Sequence, residues 1–222
     1  NAVTRSGSNQ FSGSIYRFNR NENMSGKTPT SDDSVERTKL SPFEEYQMGF
    51  RLGGKIIKNK LFFFVNAEKT KSDAPLNFMP GTSESNITSD EMNQVKDYLL
   101  NEFNYNPGPW ENVSPRPTST KFLTRIDWNI NPKNNLMVRY HMTEGKAITN
   151  IVRNPIRAQF QNLPRSQVST TKSIGLELNS QLSDNVANNL RISSVSVNDS
   201  RQPYDGVIFP EIEIRNGSNR IE

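Results

Sequence analysis

Cysteine is absent from all 222 residues, which removes disulfide frameworks and thiolate metal sites. Histidine occurs once, as His141, so a multi-histidine zinc site cannot be assembled, and any Ser-His-Asp triad would have to use that one residue. Nor does any run of about 18 apolar residues occur, and without one no transmembrane helix is encoded. Apolar residues are scarce altogether: A, V, I, L, M, F, W, Y and C make up 32% of the chain, and the mean hydropathy is −0.74. An ordinary soluble domain is nearly half apolar once glycine is counted, so these values imply disorder or a wall in which only alternate residues meet an apolar phase. Charge favours no nucleic-acid partner: 27 Lys plus Arg stand against 23 Asp plus Glu, a net +4, scattered without a basic stripe.

What is present is alternation. Met48, Phe50 and Leu52 alternate with Gln47, Gly49 and Arg51, and after Lys58 and Asn59 the pattern resumes with Leu61, Phe63, Val65 and Ala67 on one face and Phe62, Phe64, Asn66 and Glu68 on the other. A two-residue turn at Lys58-Asn59 sets Leu52 opposite Val65, Phe50 opposite Ala67 and Arg51 opposite Asn66, a register that a one-residue slip would destroy.

These residues also carry a resemblance. The run from Gly53-Gly54-Lys55 through Ile56, Ile57, Lys58, Asn59, Lys60 and Leu61 to Phe62-Phe63-Phe64-Val65 resembles a hairpin early in the barrel of TonB-dependent outer-membrane receptors of the Oar-like subgroup, whose members usually carry proline where Lys55 stands. Asn1 to Asn9 resembles the same family's junction between the plug domain and the first barrel strand, and a weaker similarity runs through 121–146. The resemblance implies an all-β fold: an antiparallel transmembrane β-barrel of about 22 strands. This chain would supply the end of the plug (1–9) and roughly seven strands within 10–201, leaving 202–222 unplaced. It implies the bacterial outer membrane and energy-coupled uptake of a large or scarce solute. The implied partners are outer-membrane lipid, TonB acting through plug residues outside this sequence, an unknown solute and, as a candidate, a surface lipoprotein. Surface adhesion or protein export is the alternative for the same strands, and a soluble all-β carbohydrate-binding module is another, needing two sheets around a dry core. No enzymatic activity and no cofactor are expected.

Two more hairpins follow by the same logic. Phe122, Thr124, Ile126, Trp128 and Ile130 share a face, as do Leu136, Val138, Tyr140 and Met142; a turn centred on Lys133 pairs Trp128 with Val138, Ile126 with Tyr140, and Asp127 with Arg139. Around a turn at Ser183-Asp184-Asn185, Leu178 meets Leu190, Leu176 meets Ile192 and Glu177 meets Arg191. Val195 and Val197 then switch parity, through a bulge near Ser193 or Ser194 or because the strand leaves the membrane there. Residues 10–20 make a first strand. The connections 21–44, 73–119 and 147–167 read as extracellular loops, opposite short turns near 58–59, 131–135 and 183–185 that should face the periplasm. Within the second loop, Thr88 and Glu91 have capping-box spacing, and Met92, Val95, Leu99 and Phe103 predict a helix over about 89–103.

The candidate functional residues divide in two. Arg51, Glu68, Arg125, Asp127, Arg139, Glu177 and Arg191 fall on the polar strand face and are expected to line the lumen, as is His141, placed opposite Arg125. Phe78, Tyr105 and Trp110 lie in the long second loop, where they either touch an incoming ligand or pack the helix, with packing favoured. Asp32, Asp33 and Glu36 lack calcium-loop spacing, and Gly53-Gly54-Lys55 lacks the phosphate-loop pattern, so no metal site is expected.

Overall fold

The computed structural model describes residues 5–27, 37, 39, 42–74, 76–111, 113–204, 206 and 210–222. Asn1 to Thr4, Asp32, Asp33 and Glu36 lie outside the described residues. The elements in order are β1 (Ser12–Asn21), β2 (Glu44–Ile57), β3 (Leu61–Asp73), α1 (Ser89–Phe103), β4 (Thr118–Asn131), β5 (Asn134–Thr149), β6 (Arg157–Ala158), β7 (Arg165–Ser183), β8 (Val186–Pro203), β9 (Ile214–Asn216) and β10 (Asn219–Ile221). The long strands form one antiparallel sheet in the order β1-β2-β3-β4-β5-β7-β8, and the sheet is open, with β1 and β8 at its edges. Among the described residues no helix is long and apolar enough to cross a membrane, a statement that says nothing of strands.

Period-two patterning produces the register. Leu52 pairs with Val65, Phe50 with Ala67 and Arg51 with Asn66, as the apolar faces require. The turn differs from the expected two residues: Lys58, Asn59 and Lys60 form it, with Asn59 at φ 62° and Lys60 N–H bonded to the Ile57 carbonyl at 3.1 Å. A register shift between Lys55 and Ile57 absorbs the extra residue, so the pairing beyond it is unchanged.

The β4–β5 register is corrected by two residues. Trp128 pairs with Leu136, Ile126 with Val138 and Asp127 with Met137, so Asp127 does not face Arg139; Arg125 does, and His141 lies opposite Leu123. The cause is a tighter turn, Pro132-Lys133, with an irregularity between Asn129 and Asn131. A shift of two preserves side-chain parity, which is why every face assignment survives the wrong register. In β7–β8 the pairs Leu178–Leu190, Leu176–Ile192 and Glu177–Arg191 stand as expected. No bulge occurs near Ser193; the register runs unbroken from Gln181↔Ala187 to Arg165↔Pro203, so Val195 and Val197 belong to the polar face. The strand reaches them about nine residues from its turn, roughly the length that crosses a bilayer.

Burial in the sheet is inverted relative to a soluble protein. On the apolar face Phe50 and Leu52 are each 44% exposed, while on the polar face the side chains of Glu68 and Asp127 keep only 16% and 20%. Within this band the apolar side chains therefore lie on the more exposed face of the sheet and Glu68 and Asp127 on the more covered one. The apolar band ends at Met48 on β2 but at Ile174 on β7, which lies in the row running Leu52–Val65–Thr124–Tyr140–Ile174. An edge that steps along the rows in this way is what tilted, staggered strands produce.

The compact hydrophobic core lies elsewhere. The long connections meet at one end of the sheet and fold into a cap: α1 packs on a small sheet of order β6-β10-β9, with Ile87, Met92, Trp110, Ala158, Phe160 and Ile221 buried between them. The helix covers Ser89–Phe103, with the Thr88 hydroxyl accepting from Glu91 N–H (3.1 Å) and the Glu91 carboxylate accepting from Thr88 N–H (2.8 Å). Of its apolar positions Met92 and Leu99 are buried, Val95 partly so, and Phe103 is half exposed.

Candidate functional site

The polar face is the first candidate surface, and strand parity delivers its residues to it. Tyr16, Gly49 and Glu68 form one row across β1, β2 and β3. Because Gly49 has no side chain, Tyr16 lies across it and donates to Glu68 Oε2 at 2.7 Å; a Cβ on Gly49 would stand 2.6 Å from the tyrosine oxygen. Gln47 Nε2 (2.8 Å) and Lys121 Nζ (2.9 Å) complete the carboxylate's shell. Four strands are joined through one carboxylate.

The other predicted residues assemble in pairs. Arg125 and Asp127, two apart on β4, make a bidentate contact with nitrogen–oxygen distances from 2.6 to 3.0 Å. Glu177 accepts from Asn179 (3.2 Å) and Asn189 (3.1 Å) and lies 3.3 Å from Arg191 Nε. Arg51 Nε donates to Ser14 Oγ at 2.9 Å. Arg139 has no carboxylate within ion-pair distance among the described residues; it faces Arg125 across β4 and Gly175 across β7. Arg125, Asp127, Arg139, Glu177 and Arg191 border one shallow depression, so the sequence brought together five of its seven lumen candidates.

Beside this wall the segment before β1 is docked at the short-turn end. Asn9 uses both amide atoms on Asn59, accepting from its N–H (2.8 Å) and donating to its side-chain oxygen (2.6 Å). Gly7 presses on the sheet so closely that a Cβ would meet the carbonyls of Phe63 and Gly54, the second at 2.6 Å, and Gly53 lies against the Gly7 Cα. The glycine pair Gly53-Gly54 thus leaves room for the incoming chain: a Cβ on Gly54 would run into the Phe11 ring, and one on Gly53 would crowd the Phe64 ring at 3.0 Å while touching the Gly7 Cα at 3.6 Å.

The loop candidates separate. Trp110 is buried in the cap core, its indole N–H donating to Asn93 Oδ1 at 3.2 Å, and so packs the helix. Phe78 is half-buried at φ 61°. Tyr105 is half-buried and borders a cavity of about 580 Å³ between the cap and the upper ends of β7 and β8. Sequence reasoning missed this cavity, because its walls come from 99–107, 150–165, 201–203 and 210–222, segments with no shared periodicity. In the cap, burial pushes the Arg153 guanidinium down from its ordinary value, against the pull of Glu111, while its Nη2 donates to the Trp110 carbonyl. Glu91 is held below the usual carboxylate range by the Thr88 N–H and by Asn216. Among the described residues no group of three or more His, Asp or Glu is placed to hold a metal.

The family model for an outer membrane beta barrel domain matches residues 3–211. No curated protein and no solved structure matches. The outward apolar band, the charged inner face, the short turns at one end and the long connections at the other are what that family requires of its strands. With nearly the whole chain covered, the protein belongs to the outer membrane β-barrel domain family and resides in the bacterial outer membrane.

Proposed function

We propose that this chain is part of a TonB-dependent receptor of the Oar-like subgroup, which binds a large or scarce solute at the cell surface and admits it through a plugged barrel of about 22 strands. The observation that carries this reading is the docked segment before β1. It enters at the short-turn end, pinned to the β2–β3 turn by Asn9 and lying with Gly7 against Gly53, on the polar side, where a chain arriving from a plug inside the barrel would have to enter. The folded cap supports the same reading, because a structure with its own buried core at the long-connection end gives a solute something to bind before passage. The work is binding and gating without bond chemistry, with TonB as the partner that supplies energy and a surface lipoprotein as a second candidate partner.

The test is capture of the intact receptor by the periplasmic domain of TonB. A stable complex that is lost when the receptor's TonB-contacting segment is deleted is expected. Failure to form a complex, together with an unchanged phenotype in cells lacking TonB, would refute the proposal.

A further inference from the structure

Charge matching on the polar face is uneven. Glu45, Glu68, Asp127 and Glu177 each have a basic neighbour within ion-pair distance, namely Arg20, Lys121, Arg125 and Arg191. Arg51, Arg139, Arg165 and Arg201 have no carboxylate at that distance among the described residues, and Asp199 is the acid left over on the same face. The surplus on this face is therefore positive.

Two of the unmatched arginines border the cavity under the cap. Arg201 lies opposite Gln167, and Arg165 is two residues along β7 from Gln167, so the two arginines, both exposed, are diagonal neighbours on one face. Across from them Leu99, Tyr105, Phe160 and Leu163 make an apolar wall. The acid at the floor is already engaged: Glu222 lies 2.5 Å from Arg157 Nη2 and accepts from Gln159 Nε2 at 2.7 Å, while Gln159 Oε1 accepts from Val152 N–H at 2.7 Å. Arg157 borders the cavity too, and its Nε is buried without a hydrogen-bond partner among the described residues. Glu211, exposed, also borders the cavity, so its lining carries one more positive than negative side chain: Arg157, Arg165 and Arg201 against Glu211 and Glu222.

We propose that this cavity binds an organic anion, a solute with an apolar or aromatic body and a carboxylate or phosphate. The body lies against Leu99, Tyr105 and Leu163, and the anionic group sits between Arg165 and Arg201. A volume of about 580 Å³ suits a small ligand or one end of a larger one. Calling it the entry site for transport rests on the receptor reading above; as a binding site it stands alone. Arg139 and Arg51 continue the same sign along the wall below, so an anion leaving the cavity meets attraction there.

The test uses the intact outer-membrane protein in detergent with three probes: phenylphosphate, phenylacetate and neutral 2-phenylethanol, followed by saturation-transfer NMR and calorimetry. Both anions should bind, the neutral probe roughly tenfold more weakly, and the anion affinity should fall as salt is raised. The double variant R165Q/R201Q should lose roughly tenfold for the anions and nothing for the neutral probe, whereas R139Q should leave all three unchanged. Equal binding of the neutral probe, salt-independent binding of phenylphosphate by the unaltered protein, or full anion affinity in the double variant would each overturn the proposal. The salt titration decides even if the variant fails to fold. Anion binding without a TonB complex would retire transport and keep the site; a TonB complex without anion binding would do the reverse.

Discussion

Val138 and Met137 are adjacent on β5, and the two-sided wall assigns them opposite fates. Val138 points outward between Ile126 and Leu176, in the middle of the apolar band. Met137 points inward between Asp127 and Glu177. Replacing Val138 by arginine places a guanidinium in hydrocarbon, at a cost of about 2–4 kcal/mol near the midplane. Replacing Met137 by arginine sets the same group between two carboxylates across the ladder, where opposite charges contribute roughly 0.2–1 kcal/mol of stabilisation. The difference of about 3 kcal/mol corresponds to roughly a hundredfold in the folding equilibrium. It is read by urea-dependent folding of the intact protein into lipid vesicles, with electrophoretic mobility before and after heating as the check on folding. Equal costs at the two positions, or a larger cost at Met137, would refute the face assignment.

Other consequences follow from the same geometry. Glu68→Gln removes the charge and one of the two acceptor oxygens that join Tyr16, Gln47 and Lys121, setting an NH2 donor against one of these donors, and should cost about 1–3 kcal/mol in the same assay; a change under about 0.5 kcal/mol would contradict the shared-node account. Gly49→Ala should reproduce part of that loss by displacing Tyr16, and combined with Tyr16→Phe it should cost less than the two changes summed. Thr88→Ala should destabilise α1 by about 1 kcal/mol, measured as faster proteolysis of the cap with the barrel still intact. Because the folded-state pKa of Glu91 lies below its unfolded value, its contribution is complete above the ordinary glutamate range and is lost as pH falls through the folded value. Cap proteolysis should therefore rise on acidification below about pH 4, and Glu91→Gln should flatten that rise.

The barrel wall was legible because its signal is local. Alternation in 47–52, 61–68 and 174–178 states both strand and face, and two of the three hairpin registers follow from matching the faces. The third failed on the turn: Asn131-Pro132-Lys133 closes more tightly than a turn centred on Lys133, and because the slip was even, the Asp127–Arg139 pair was wrong while every face was right. Asp127 instead takes Arg125 from its own strand, a partner two residues away that no cross-strand argument considers. The cap was illegible for the opposite reason. Ile87, Trp110, Phe160 and Ile221 are single apolar residues in polar surroundings, and only the fold shows that they meet. Their one local trace was the helical spacing of Met92 and Leu99, which gave the helix without its partner sheet. The tail at 202–222 could not be placed because β9 and β10 are three residues each and β10 pairs with β6, far back in the chain.

Residues 1–222 contain no cysteine, so once any cysteine elsewhere in the intact protein is replaced by serine, a single introduced thiol carries the only label. Spin labels placed one at a time along 136–143 of the intact protein in lipid vesicles report contact with dissolved oxygen, which concentrates in hydrocarbon, or with a water-soluble nickel chelate. Positions 136, 138, 140 and 142 should be relaxed by oxygen, and 137, 139, 141 and 143 by the chelate. A signal without alternation, or with the two sets exchanged, would contradict the account.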